Sequence, residues 1–387
     1  MREKIVSAKL PRVRSRDGDY TKVIILPKKE AITLILRQWG WNPEWNERFE
    51  PWRRQGCTPG RVALEHKHLY TVYTEHGELL AEVAGKLRYE AAGRAEYPAV
   101  GDWVALSVRP EEGRATIRGI LPRFSKFSRK VAGSVTEEQI VATNMNTVFI
   151  VTSLNQDFNV RRVERYLVLA WESGANPVVL LSKADLSDRI EEAVSAVESV
   201  AVGVPIHVIS SLENKGLDAL APYVGEGQTV ALLGSSGVGK STLINRLAGA
   251  DVQATGDIRL DDGRGKHTTT HRELIALPGG GLLIDTPGMR ELQLWDADDG
   301  LGASFQDVEQ FAAQCRFPDC RHDREPGCAV RTALSDGSLD RARYQSYVKL
   351  QKELAYFARK EDKALQAAEK NKWKKIHQAN KKRHIRT

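Results

Sequence analysis

The sequence predicts a multidomain fold: a small β-barrel of the oligonucleotide-binding (OB) kind, an α/β phosphate-loop nucleotide-binding domain, and a C-terminal zinc-binding domain with a helical tail. Three observations predict it. Short runs of period two fill the stretch after Gly60, apolar strand-length runs alternate with helical periods from Thr147 onward, and three cysteines with a histidine crowd between residues 315 and 328. A chain of 387 residues has room for two or three domains. Its 41% hydrophobic and 28% charged residues exclude a mostly disordered or membrane-embedded protein. The longest apolar runs, such as Val148 to Val151, are strand-sized, and the first twenty residues are charged throughout with no apolar core. No secretory signal or membrane contact is expected, and the expected compartment is the cytoplasm.

Four domains are expected, at 1–56, 57–132, 133–296 and 297–387. In the N-terminal arm, Ile32, Ile35, Leu36 and Trp39 share a helical face after Pro27, and Gly40 ends the helix. The Trp- and Arg-rich segment that follows reads either as packing against a neighbouring domain or as base stacking, with packing the stronger reading. Five strands are predicted next, at Arg61–His66, Leu69–Thr74, Glu78–Ala84, Asp102–Val108 and Ala115–Leu121. An OB barrel and an SH3-like barrel both satisfy that count. From Thr147 the order is strand, helix (Val160–Trp171), strand (Pro177–Leu181), helix (Arg189–Val200) and strand (Pro205–Ile209). Thr229–Leu233, Lys240–Leu247 and Leu282–Ile284 continue it. Such alternation predicts a parallel sheet covered by helices on both faces, with ligands at the carboxyl ends of the strands.

The segment Gly234-Ser235-Ser236-Gly237-Val238-Gly239-Lys240-Ser241-Thr242 follows a strand and opens a helix, as a phosphate loop requires. Its glycines let backbone N–H groups face the phosphates, Lys240 reaches the β and γ phosphates, and the Ser241 hydroxyl is a Mg²⁺ ligand. Ser182-Lys183-Ala184-Asp185 ends another apolar strand and is similar to the guanine-reading Asn-Lys-x-Asp element, with Ser182 where Asn is usual. Asp185 would accept from guanine N1–H and the exocyclic amine, which adenine does not offer in that pattern. Ser210 and Ser211, after the next strand, are placed to meet guanine O6. Asp285-Thr286-Pro287-Gly288 reads as the element in which Asp285 holds Mg²⁺ through water and the Gly288 N–H senses the γ-phosphate. Thr269 is the first choice among Thr268, Thr269 and Thr270 for Mg²⁺ and the γ-phosphate, and sequence does not separate the three.

Base-reading elements precede the phosphate loop, and the γ-phosphate sensors come last. The nucleotide-binding domain is therefore circularly permuted, which a sheet tolerates because it needs its strands and not their chain order. The segment after Gly288 runs directly into the cysteine region, so nucleotide state could pass covalently to it. Cys315, Cys320, His322 and Cys328 offer three thiolates and an imidazole, a set suited to one structural Zn²⁺ in a compartment without disulfides. Cys57 stands apart as a plain thiol. Residues 341–387 hold 15 bases against 4 acids, which reads as an arm for a polyanion or as a solvated helix.

The permuted order, the preceding barrel and the Cys-x₄-Cys-x-His-x₅-Cys cluster together resemble the circularly permuted GTPases of bacterial small ribosomal subunit biogenesis. The Pro98–Trp103 and Gly265–Thr270 stretches resemble that family too, and the resemblance spans about residues 57–387. It implies hydrolysis of GTP stimulated by the small (30S) subunit, contact with 16S rRNA, and release in late maturation. A monomer is expected. Met289 stands where water-positioning GTPases carry Gln, so intrinsic hydrolysis should be slow. His267 is the candidate to supply that role, against the plainer reading of a solvated loop histidine. The alternatives are a GTP-bound RNA-assembly scaffold with incidental turnover and, more weakly, an ATP-driven remodeler, against which Asp185 argues.

Overall fold

The computed structural model describes residues 36–66, 69–131, 137–251, 272–285 and 298–356, and the structural statements below concern those residues. Five strands form the barrel: β1 (Thr58–His66), β2 (Leu69–Thr74), β3 (Gly77–Val83), β4 (Trp103–Arg109) and β5 (Arg114–Ile120). Antiparallel pairs β1–β2, β2–β3, β4–β5 and β1–β4 are joined by a parallel β3–β5 pair, which closes the ring in the order 1-2-3-5-4. That order decides for the OB-like barrel. Alternation along β2 points Tyr70 and Val72 inward, where they pack with Val62, Leu79, Ala81, Val104, Leu106 and Ile117.

The Trp-rich segment packs. Asn42 caps helix α1 (Pro43–Arg53) by accepting from the Trp45 N–H at 2.9 Å, and Pro43 fits the first turn because it needs no hydrogen-bond acceptor there. Trp41, Trp45 and Phe49 are buried against Trp103, Ala105 and Leu121 of the barrel. Trp52 lies over Gly119, where an added Cβ would come within 2.3 Å of the indole. Sequence periodicity placed a helix before Gly40 and overlooked α1. Residues 36 and 37 are helical, 38–40 form a turn in which Gly40 has φ +82°, and the part of that expected helix before residue 36 lies outside the described residues.

Strands β6 (Lys126–Val131) and β7 (Glu137–Thr143) form a separate two-stranded sheet, unassigned by sequence. Next come β8 (Thr147–Ser153), α3 (Val160–Glu172), β9 (Asn176–Ser182), α4 (Ile190–Glu198), β10 (Ile206–Val208), β11 (Thr229–Leu233), α5 (Lys240–Ala248), β12 (Glu273–Ala276) and β13 (Leu282–Asp285); a short helix, α2 (Gly85–Glu90), lies between β3 and β4. The sheet runs β10-β9-β8-β11-β13-β12 and continues into the barrel through Leu64 opposite Glu273. Alternate residues of the same apolar strands feed two cores. Ile150, Val179, Leu181, Ala231 and Ile284 pack with α3 and α4, whereas Phe149, Val178, Leu180, Val230 and Leu283 pack with α5. Helices thus cover both faces, as expected.

The predicted strands pair in parallel as expected, and β12, unassigned by sequence, adds an antiparallel neighbour to β13. Only a short turn through Leu277 and Gly280 joins them, far too short for the crossover that a parallel pair requires. The C-terminal part consists of α6 (Asp298–Ser304), α7 (Gln306–Ala312), α8 (Ala329–Asp336) and a helix, α9, over 341–356. Tyr347, Leu350 and Leu354 of α9 are buried in the core shared with α3. The most basic part of the tail, residues 357–387, lies outside the described residues.

Candidate functional site

Strand β11, buried at all five residues, carries the chain to Gly234, whose φ is +157° and where a Cβ would meet the Val151 carbonyl at 2.4 Å. Gly237 and Gly239 also have positive φ, so the loop turns tightly before Lys240 opens α5. Lys240 folds back over the loop, its Nζ donating to the Gly234 and Ser235 carbonyls at 2.8 and 2.6 Å. Gly239 offers no side-chain cap at the N-terminus of α5, a helix end of the kind that suits an anion. Ser236, Val238, Ser241 and Thr242 complete the stretch, with Val238 buried beneath it.

The base-reading elements meet at the same edge of the sheet. Asp185 sits in the turn after β9, and the Ser210 hydroxyl donates to its Oδ1. The Ala184 N–H reaches the Ile209 carbonyl at 3.2 Å, tying the two loops. Ser211 is held through its carbonyl, which accepts from Arg246 Nε of α5 at 2.9 Å. Lys183 takes a left-handed conformation with φ 59°, and burial lowers its pKa against the opposing charges of Asp185 and Asp157. Ser182 stands where Asn is usual and has the shorter side chain. The structure shows its hydroxyl donating to the Val238 carbonyl at 2.6 Å, so the base element still grips the phosphate loop.

Asp285 ends β13 and is nearly buried; β13 runs parallel to β11, which brings Asp285 to the strand ends beside the loop. Ser241 and Asp285 are a hydroxyl and a carboxylate on the phosphate side of the sheet, which suits an oxygen-preferring Mg²⁺ ion. Thr268, Thr269, Thr270, His267 and Gly288 lie outside the described residues. One part of the site escaped sequence reasoning. Asp157 and Arg162, after β8, contact Ser235 of the loop. Their signal was their place beyond the carboxyl end of a central strand, where ligand-facing residues of such sheets gather.

The cysteine cluster is assembled as expected. The ligand atoms of Cys315, Cys320, His322 and Cys328 all lie within 4.8 Å of one another. His322 Nδ1 is 3.5 Å from both the Cys315 and Cys328 sulfurs, which are 3.9 Å apart. Tetrahedral zinc with ordinary bond lengths separates two sulfurs by about 3.8 Å and sulfur from nitrogen by about 3.5 Å. The residues therefore fit the ion, with no position left open. His322 adopts φ 61° to turn its ring inward, and the Arg331 N–H of α8 donates to the Cys328 sulfur at 3.4 Å. Burial pushes the Cys315 thiol up, but hydrogen bonds from the Val330 and Ala329 N–H groups and from the Cys320 and Cys328 thiols bring it below its ordinary value, while burial pushes Cys320 up. Cys57 is half-buried beside the α1 core and has no part in the cluster.

Comparison with known proteins agrees with this geometry. The RsgA GTPase family profile matches residues 120–295. A small ribosomal subunit biogenesis GTPase RsgA of Opitutus terrae is 50% identical over 90% of this chain and 98% of its own. The crystal structure of YjeQ from Thermotoga maritima superposes with a TM-score of 0.57 at 28% identity, covering 77% of this chain and 99% of that one. YloQ, a circularly permuted GTPase, gives 0.56 at 25% identity over 77% and 95%. A permuted nucleotide site between a barrel and a Cys₃His cluster, together with half-identity along nearly the whole chain, makes this protein a member of the RsgA GTPase family.

Proposed function

We propose that this GTPase acts in biogenesis of the small ribosomal subunit, binding the 30S particle and 16S rRNA late in maturation and leaving when GTP is hydrolysed. The observation that carries the reading is the joining of base-reading and phosphate-binding loops by Ser182, within a chain that also bears the barrel and the Cys₃His cluster. Asp185, Lys183, Ser210 and Ser211 select guanine. The loop from Gly234 to Thr242 holds the phosphates, with Lys240 neutralising charge that grows on them during transfer. Ser241, Asp285 and Thr269 hold Mg²⁺, which would supply further charge neutralisation at the phosphates, and Gly288 senses the γ-phosphate. His267 positions the attacking water when the subunit orders its loop. Cys315, Cys320, His322 and Cys328 hold one structural Zn²⁺.

The chain divides as 1–56, 57–132, 133–296 and 297–387, with the β6–β7 hairpin as the joint between barrel and GTPase unit. The protein works as a monomer in the cytoplasm; among the described residues no helix is long and apolar enough to cross a membrane. The basic tail beyond residue 357 adds phosphate contacts. The family assignment does not favour a scaffold with incidental turnover. Steady-state hydrolysis of GTP and ATP, alone and with small or large subunits, tests the reading. Stimulation of GTP hydrolysis by the small subunit alone is expected, and Asp185→Asn should weaken GTP binding. Equal stimulation by both subunits, or by neither, would overturn the assignment of partner.

A further inference from the structure

Helix α3 touches two functional units that are distant in sequence. At its N-terminus Asp157 Oδ2 accepts from the Ser235 hydroxyl at 2.9 Å and from Arg162 Nη1 at 2.6 Å, and the same Nη1 donates to Ser235 Oγ at 2.7 Å. The triangle is anchored from below. Asn159 caps the helix by accepting from the Arg162 N–H at 3.1 Å, while Asn155 Oδ1 accepts from the Asp157 N–H at 3.0 Å and from Ser153 Oγ at 2.8 Å. Ser235 is therefore gripped twice, through its hydroxyl by this triangle and through its carbonyl by Lys240. Asp157 also projects its charge onto Lys183, so it stands between the phosphate loop and the base element.

An adjacent stripe of α3 is the dock for the C-terminal domain. Residues 161, 164, 165, 168 and 172 follow helical spacing and fall on one face. Buried Glu164 accepts from Arg343 Nη1 at 3.1 Å, Ser346 Oγ at 2.6 Å and Arg161 Nη1 at 2.6 Å. Arg165 makes a two-pronged pair with Glu353 of α9 at 2.6 and 2.7 Å. Gly300 of α6 lies so close to the Val168 carbonyl that a Cβ would approach it to 2.5 Å, and its N–H donates to Glu172. A capped helix packed on both sides moves as a unit, because close-packed interiors transmit displacement and do not absorb it.

We propose that Arg162 and Asp157 are positioning residues for the phosphate loop, and that docking of the C-terminal domain on the neighbouring stripe of α3 sets their placement. The loop's hold on nucleotide and the domain's hold on α3 are then coupled, and coupling is reciprocal: whatever draws the domain from α3 loosens nucleotide, and nucleotide tightens the dock. Arg162 has an electrostatic duty besides. It offsets the Asp157 carboxylate, which would otherwise repel phosphates at Ser235.

The inference rests on the reading that this loop binds GTP, and the full-length protein tests both. Fluorescent GDP and GTP are titrated into wild type, Arg162→Ala, Arg162→Lys, Arg162→Ala with Asp157→Asn, Arg165→Glu, and Arg165→Glu with Glu353→Arg. Arg162→Ala should raise the nucleotide Kd about tenfold, with Lys and the added Asp157→Asn each recovering part of it. Arg165→Glu should raise Kd about threefold, and the reciprocal Glu353→Arg should restore it. A Kd for Arg162→Ala within twofold of wild type overturns the positioning role; should that variant fail to fold, Ser235→Ala with unchanged Kd overturns it equally. Arg165→Glu that lowers Tm while leaving Kd unchanged overturns the coupling. A wild type that binds no GTP defeats the underlying reading instead.

Discussion

The GTPase sheet is joined to its two neighbours through buried arginines, and the two are satisfied in opposite ways. Arg61 of β1, 2% exposed, donates only to neutral oxygens: the carbonyls of Trp39, Gly101 and Asn144 and the hydroxyl of Thr229, at 2.6 to 3.3 Å. Its nearest carboxylate, Asp102, is already engaged by Arg123 at 2.7 and 2.8 Å. Arg343 of α9 instead meets two acids, Asp307 at 2.5 and 2.9 Å and Glu164 at 3.1 Å, with the Ser304 carbonyl and the Phe305 ring completing its shell. Backbone carbonyls hold the barrel joint by geometry. Carboxylates hold the C-terminal joint by charge, which makes it the joint that an ion or a polyanionic partner can compete for.

The C-terminal joint should also be the one that depends on metal, and its removal is the largest effect expected. Cys320→Ser, or stripping with a chelator, should abolish the cooperative melting of the C-terminal helices while the barrel joint persists, since structural zinc sites contribute on the order of 10 kcal/mol to folding. Unchanged melting with no zinc retained would remove the metal from the comparison. Arg343→Met comes next. It breaks the buried pairs with Asp307 and Glu164, leaving Glu164 only Arg161 and Ser346, and should cost about 3–5 kcal/mol in denaturant unfolding. Arg61→Met leaves only neutral acceptors unmet and should cost less, about 2–3 kcal/mol. Equal losses at the two positions would erase the distinction drawn here.

The smallest effect is one of sign. Burial draws the Arg61 guanidinium down to about 9, with Asp102 partly opposing. The unfolded chain keeps that proton to higher pH, so the Arg61 contribution to stability rises above pH 9. At the other joint, burial and then the hydrogen bond to Glu309 push the Tyr347 phenol above its ordinary value of 10. There the unfolded chain loses its proton first, and stability falls above pH 10. Unfolding curves of wild type, Arg61→Met and Tyr347→Phe between pH 8 and 10.5 should therefore diverge in opposite directions. Parallel curves would show that neither group reports on its joint.

Neither arginine was legible in the sequence, because nothing local marks a side chain whose partners lie 83 or 179 residues away. The strands were. Continuous apolar runs such as Val148–Val151 need burial on both faces, and the two separate cores show that they have it. The barrel's strands followed from alternation, but its order awaited the parallel β3–β5 pair, which no periodicity encodes. Helix α1 was hidden because its buried residues are one tryptophan and one phenylalanine among arginines, a composition that also reads as a binding surface. In the candidate site, the motif made the strand, the glycine loop and the helix opening at Lys240 legible, whereas the hydrogen bond made by Ser182 required knowing that Val238 lies within reach.

Permutation has a consequence for how the chain is made. Strand β8, buried at all seven residues, is central in the sheet and is the first strand of the GTPase unit to be synthesised. A nascent chain can complete β8, β9 and β10 with their two helices, and so carry Asp185 and Ser210 into place, before Thr229 has left the ribosome. Until β11 arrives, the far edge of β8 is an unpaired apolar edge, the kind of surface that invites wrong pairing. The barrel, already made, ends only a hairpin away, and Arg61 reaches from it to the Asn144 carbonyl just ahead of β8. A molecule that serves ribosome assembly thus has its own assembly problem, an open strand edge during translation, and the barrel, three strands away in the finished sheet, holds only the start of β8.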